Sequence, residues 1–224
     1  MDLIQFITNP SAVAEKIKEQ PQWVKAFIIL GIISIIIGWL TLPYAGALGA
    51  RQLESLSPEA AENAMKYVRI FSYVGVLMAP IGLLIKWAIA AVVIMVVGMA
   101  FKVSASFMQL FCMVVYANVI TTISGLFNLI NLMIKGTESV TSAMDLNVIS
   151  LHALFDPENV NRVLYAIMAS INPFEIWYVI ALGMGLSVIY NVPRSKGIWI
   201  SVVYWVIVVI ISGFMASLGA RFQH

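Results

Sequence analysis

Five long apolar runs divide this chain: Val24 to Leu48, Ile70 to Phe101, Leu110 to Ile134, Pro173 to Tyr190 and Ile198 to Leu218. Each is close to or beyond the roughly 20 residues that a helix needs to cross a hydrocarbon core, where every backbone N–H and C=O must be paired inside its own segment. The pattern predicts an all-α polytopic membrane protein over residues 1–224, with five transmembrane helices plus short amphipathic interfacial helices. An odd number of crossings puts the termini on opposite sides. Composition agrees: 61% of residues are hydrophobic and 11% charged, with a mean hydropathy of +0.94, whereas a soluble domain is about half apolar and a quarter charged. The formal charge of +2 is far too small and scattered for a nucleic-acid partner, which requires clustered Lys and Arg. The single cysteine, Cys112, lies inside an apolar run and reads as a small buried hydrophobe.

Local punctuation places the helix starts. Asn9-Pro10, Ser57-Pro58, Asp156-Pro157 and Asn172-Pro173 each join a capping side chain to a proline whose fixed φ suits the first helical position. Pro10 to Glu19 is short and amphipathic, with Val13 and Ile17, joined by Phe6 from the preceding segment, on one side and Glu15, Lys16, Lys18 and Glu19 elsewhere, which predicts an interfacial helix lying on the bilayer. A helix that docks on a soluble partner is the other reading. Pro58 to Arg69 leads into the second run as a water-exposed extension, and Pro80 with Gly82 supplies a cause for a kink in that over-long segment. Pro157 to Ile171 carries Val160, Val163, Leu164, Ile167 and Met168 at helical spacing, and is either an interfacial helix or the first half of a broken fourth span. AGALGA at the end of the first run could pass for a signal-peptidase site, but the polar stretch before that run is too long for a signal n-region.

Positive charge gives little orientation. Lys16, Lys18, Lys25, Lys102, Arg194 and Lys196 fall on one side, against Arg51, Lys66, Arg69, Lys135, Arg162 and Arg221 on the other. The purely basic loop Pro193 to Gly197 and the weight of the first span favour a cytoplasmic N-terminus and a C-terminus outside.

Charges within the runs are the first candidates for function, because an ionised group at the bilayer centre costs about 2.5–3.5 kcal/mol on insertion scales and must face protein or water. Lys86 and Glu175 qualify. The sharper reading pairs them between the second and fourth spans; the plainer one makes Glu175 the N3 capping residue of its own helix and lets Lys86 snorkel. The third span adds Asn118, Thr121, Thr122, Ser124, Asn128 and Asn131, side chains able to bond across helices. Lys86, Glu175, Asn118 and Thr122 form the candidate intramembrane polar site. Small residues at four-residue spacing, Ala181 with Gly185 and Gly183 with Ser187 in the fourth span, Gly213 with Ser217 and Ala216 with Ala220 in the fifth, allow close helix contact within or between protomers. Trp177, Trp199, Trp205, Tyr190 and Tyr204 read as interface anchors or core aromatics, with nothing that requires a ligand cage.

Catalytic patterns are missing. His152 and His224 are the only histidines, and the sequence has no H-E-x-x-H, no Cys–His pair at ligand spacing, no G-x-S-x-G and no phosphate-binding glycine loop. No enzyme activity, catalytic residue, metal or cofactor is expected.

The order of parts carries a resemblance. NPSAVAEKIKEQPQW, then KWAIAAVVIMVVG, KVSASFMQLFCMVVYAN and NPFEIWYVIALGMGLSVIY, looks like the prokaryotic branch of the Yip family, the Ypt/Rab-interacting membrane proteins. The specific part is Asn172, Phe174, Ile176, Trp177, Gly183 and Gly185, which resembles the family's N-x-F-x-I-W followed by a glycine-containing run. The resemblance implies a five-span helical fold with a cytoplasmic N-terminus, in a prokaryotic inner membrane. The D-L-x-G-P motif of the eukaryotic members is absent and Val115-Tyr116-Ala117-Asn118 replaces their glycine-tyrosine motif, which argues against a Rab GTPase partner. The function expected is that of a non-enzymatic membrane scaffold or organiser that touches lipids, other membrane proteins or further copies of itself. The alternative is a small transporter or channel with a polar path through Lys86, Asn118 and Glu175.

Overall fold

A computed structural model of the chain describes residues 2–140, 150–151, 155 and 162–221. Every regular element among them is helical: α1 (Asp2–Thr8), α2 (Pro10–Glu19), α3 (Val24–Gln52), α4 (Pro58–Ala100), α5 (Phe107–Lys135), a 3₁₀ turn (Thr137–Ser139), α6 (Arg162–Ala169), α7 (Pro173–Ile189) and α8 (Arg194–Arg221). Four helices are long and apolar enough to cross a membrane, at Val24–Gln52, Pro58–Ala100, Phe107–Lys135 and Arg194–Met215, while the apolar α7 has 17 residues. At 1.5 Å per residue α7 is about 25 Å long and α4 about 65 Å, so α4 overshoots a hydrocarbon core of about 30 Å by a wide margin. Its first turns, bearing Glu59 and the exposed Lys66–Glu62 pair at 3.2 Å, are the polar extension. The helix runs on through Pro80.

Three of the four expected helix starts are where the Asx/Ser-Pro pairs put them. Asn9 Oδ1 accepts from the Ala12 amide at 3.1 Å, Ser57 Oγ from Ala60 at 3.4 Å and Asn172 Oδ1 from Glu175 at 2.8 Å, each with proline in the first turn. Asp156-Pro157 lies outside the described residues, as do His152 and His224. Of Pro157 to Ile171 the described helical part is α6. The basic stretch expected as a loop is helical from Arg194, because Pro193 opens α8. A reciprocal capping box at Ser106 and Gln109 starts α5.

Packing is concentrated at one end of the bundle, where α1, α2, the start of α5, the end of α7 and the start of α8 converge. The apolar face of α2 is covered by protein: Val13, Ala14 and Ile17 are at most 2% exposed, against α7 and α5. The side assigned to the bilayer from its amphipathic pattern is thus used up inside the fold, and its charged face stays outward. Gln109 Nε2 donates to the Lys18 carbonyl at 3.0 Å and the Tyr116 hydroxyl to that of Gln22 at 3.2 Å, which ties the end of α2 and the turn into α3 to α5.

The α7–α8 hairpin is the tightest contact. A Cβ on Gly183 would fall 2.6 Å from the Ile198 Cα, and one on Gly197 would fall 2.7 Å from both the amide nitrogen and the Cβ of Ser187. Glycine is required at both places because backbone stands where a side chain would go. Gly185 makes the notch that receives Met113 of α5. The small residues of the fourth span therefore serve contacts within the protomer, and Ala181 is buried with them. In the fifth span, the side chains of Ala216, Ser217 and Ala220 are outside the described set. A second glycine seam, not anticipated from the sequence, joins α3 to α4: Gly31 meets Pro80, Gly38 meets Val76 and Gly49 meets Val68.

Outward faces are apolar. On α4, Ile81, Ile85, Ile89, Val92, Val96 and Met99 form one exposed stripe opposite the buried Trp87, Ala90, Ala91, Ile94 and Val97. Such a stripe is stable only in lipid, and the fold is that of an integral membrane protein.

Candidate functional site

At the opposite end of the packed region the helices part, and the break before α7 opens into the gap. Glu175, one turn into α7, stands 14 residues from that helix's packed end, as does Lys86 from the end of α4; Asn118 and Trp205 stand 11 residues from the starts of α5 and α8. These spacings place all four about 16–21 Å in, near the middle of a core about 30 Å thick.

Two adjoining hollows lie here, with lining residues in common. The larger, about 410 Å³, is a cleft lined by polar groups from five segments: Lys86 of α4; Thr121, Ser124 and Asn128 of α5; Ser170 and Asn172 of the break; Glu175; and Trp205 and Ser212 of α8. The smaller, about 90 Å³, adjoins it and shares Lys86, Thr121, Glu175, Trp205 and Val208 with it. Its inner walls are Trp87, Val114, Asn118, Tyr178 and Tyr204. The polar rows on α5 and α8 follow from helical spacing: Thr121, Ser124 and Asn128 recur every three to four residues, and so do Trp205, Val208 and Ser212.

Lys86 and Glu175 share both hollows, and the field of Lys86 acts on Glu175. They do not close into an ion pair within 4.0 Å; the described ion pairs are Lys16–Asp2 and Lys66–Glu62. Lys86 is exposed and Glu175 half-buried, with the Trp205 indole beside the carboxylate. Asn172 caps the α7 amides, while Glu175 belongs to the cleft wall.

Asn118 is buried and its polar atoms are used within α5. Its Nδ2 donates to the Val114 carbonyl at 2.8 Å, and its Oδ1 accepts from the Thr121 hydroxyl at 3.0 Å. Thr122 donates to the Asn118 carbonyl at 2.9 Å and is not in the wall of either hollow. Of the candidate polar residues the structure brings together Lys86, Glu175 and Asn118, and sets Thr122 apart. It adds Ser124, Asn128, Ser170, Ser212 and an aromatic group, Trp87, Tyr178, Tyr204 and Trp205, that sequence spacing alone left as core or anchors. Tyr204-Trp205 beside the helix-opening Glu175 becomes meaningful only once α7 and α8 are seen to pack side by side.

The family-motif residues build this region. Asn172 starts α7, Phe174 packs on Phe127 with centroids 5.3 Å apart, and Gly183 and Gly185 lock α7 to α8 and α5. Ile176 is 55% exposed on the lipid-facing side, and Trp177 packs at the edge of the core. Among the described residues no group of three or more His, Cys, Asp or Glu side chains is placed to hold a metal ion. No curated protein and no solved structure matches the chain. Residues 4–215 match the Yip1 domain, and the chain accordingly belongs to the Yip1 domain family of membrane proteins.

Proposed function

We propose that the protein is a non-enzymatic membrane scaffold or organiser, acting through contacts with lipids and other membrane proteins, with α7 as a fifth crossing and the N-terminus in the cytoplasm. The observation that carries the reading is that the polar cleft has a floor. Beneath Tyr178, Tyr204 and Val114, residues Leu110 to Met113, Ile94, Leu182, Leu186 and Ile200 fill the bundle with buried apolar side chains. A solute entering the cleft meets packed protein, which favours a binding or organising role over the small transporter or channel lined by Lys86, Asn118 and Glu175. Membrane association needs no help from the apolar face of α2, which is already covered, so contacts with partners fall to the charged side of that helix and to the apolar stripes of α3, α4 and α8.

Liposome flux tests this. Vesicles containing the protein should release monovalent ions and small neutral solutes at the rate of protein-free vesicles, and Lys86→Met should leave that rate unchanged. Protein-dependent flux that Lys86→Met abolishes would establish the transport reading in its place.

A further inference from the structure

The inner hollow has a composition of its own. Four aromatic rings, Trp87, Tyr178, Tyr204 and Trp205, and one carboxylate, Glu175, border about 90 Å³. Aromatic faces near an acid form the usual recognition chemistry for alkylammonium groups, since ring quadrupoles and a carboxylate both attract a weakly hydrated cation. The volume suits a few waters or one small ammonium head. Trp87 is 1% exposed and closes the recess on the α4 side.

The outer cleft offers the complementary set. Lys86 is its cation, and Ser124, Asn128, Ser170, Asn172 and Ser212 are hydroxyls and amides suited to phosphate and ester oxygens. Because Lys86 and Glu175 stay apart while sharing the space, the two charges are left for something lying between them. A ligand with one phosphate and one ammonium satisfies both and keeps the site neutral, which matters in a low-dielectric setting.

We propose that this two-chambered cleft binds the head group of a zwitterionic phospholipid, the ammonium in the aromatic recess with Glu175 and the phosphate at Lys86. The acyl chains then lie along the exposed apolar faces that flank the cleft on α4 and α8, where Ile85, Ile89, Val206 and Ile210 face outward. A free zwitterion of the same head-group chemistry lacks those chains. This deepens the scaffold reading by naming the lipid class, and its test is independent of solute flux.

The full chain is reconstituted in nanodiscs of equal phosphatidylethanolamine and phosphatidylglycerol, and separately of equal phosphatidylcholine and phosphatidylglycerol, then released into mild detergent, and the retained lipids are counted by native mass spectrometry. The zwitterionic lipid should be enriched at least about fivefold over its bulk share in one or both mixtures. Glu175→Gln and Trp205→Leu should return the ratio to bulk, whereas Ile32→Leu, on the exposed face of α3 away from the cleft, should leave it enriched. Retention at the bulk ratio, or enrichment of phosphatidylglycerol, would overturn the proposal in the native protein whether or not any variant folds. Enrichment that survives both cleft variants would overturn the assignment to this site. Titration with soluble glycerophosphoethanolamine and glycerophosphocholine separates the sources: binding of these without lipid enrichment makes the ligand a free zwitterion and rules out the lipid.

Discussion

The two halves of α5 belong to one apolar helix and have opposite fates. From Leu110 to Asn118 every residue is buried, on all sides of the helix, while from Thr121 to Lys135 only Leu129 and Leu132 are. The difference is one of neighbours. The first half is packed by α1, α2, α4 and α7; the second passes the point where α7 starts, and the space that a full-length α7 would occupy is the polar cleft. Lipid chains are as apolar as leucine, so the packed half is held by close contact and dispersion more than by any hydrophobic gain, and the looser half keeps polar side chains that close contact does not need.

That contrast can be broken most forcefully in the packed half. Met113→Ala empties the notch opposite Gly185, and since lipid removes most of the transfer term, the cavity left behind should cost about 2 kcal/mol, the low end for such truncations. Thermal unfolding in detergent reads it, and Phe127→Ala, at a residue 47% exposed on the same helix, should cost much less. Equal losses would erase the distinction. Gly183→Ala is next: its Cβ meets the Ile198 backbone, and about 1–3 kcal/mol should be lost. Gly125→Ala in the looser half meets only Ile37 at 3.6 Å, an ordinary contact, so its better helix propensity should leave stability unchanged or slightly raised.

Smaller effects sharpen the account of the charges. Lys86→Met, Glu175→Gln and the double variant form a cycle whose coupling should stay below about 1 kcal/mol, because the charges share a cleft without touching. A coupling of about 3–5 kcal/mol would mean a closed buried pair. Smallest is the anchor of α1. Lys16 donates to Asp2 at 2.7 Å and to Gln5 at 2.9 Å, and the Asp2 carboxyl lies below the usual carboxylate range chiefly because of that bond. A lowered pKa gives stability that is complete above the ordinary range and lost as pH falls through the lowered value. Both side chains are well exposed, so acidification should loosen α1 by less than about 1 kcal/mol, and Asp2→Asn should remove the pH dependence of its amide protection relative to the unfolded chain.

Much of the fold was legible because the signals were local. Asn9-Pro10, Ser57-Pro58 and Asn172-Pro173 carry their own capping chemistry, and the apolar runs carry their own length. What covers a face is not local. The stripe Val13–Ile17 has the pattern of a membrane-surface helix, and nothing in its spacing distinguishes lipid from α7 and α5. Lys86 and Glu175 could be nominated as intramembrane charges, but their separation, and the aromatic wall of Trp87, Tyr178, Tyr204 and Trp205, depend on the register of three helices. The glycines of α3 were passed over for the same reason: Gly38 shows its use only when Val76 stands 3.1 Å from where its Cβ would be.

The central claim is a polar cleft that stops at a packed floor, and cysteine accessibility along α5 tests it most directly. Cys112 is fully buried, so the native chain is a quiet background. In sealed liposomes a water-soluble maleimide should modify Ser124→Cys readily from one side and leave Val115→Cys unmodified from either, with both variants eluting as folded protein. Modification of Val115→Cys at a rate near that of Ser124→Cys would mean that water passes through the packed half, and the account would be wrong.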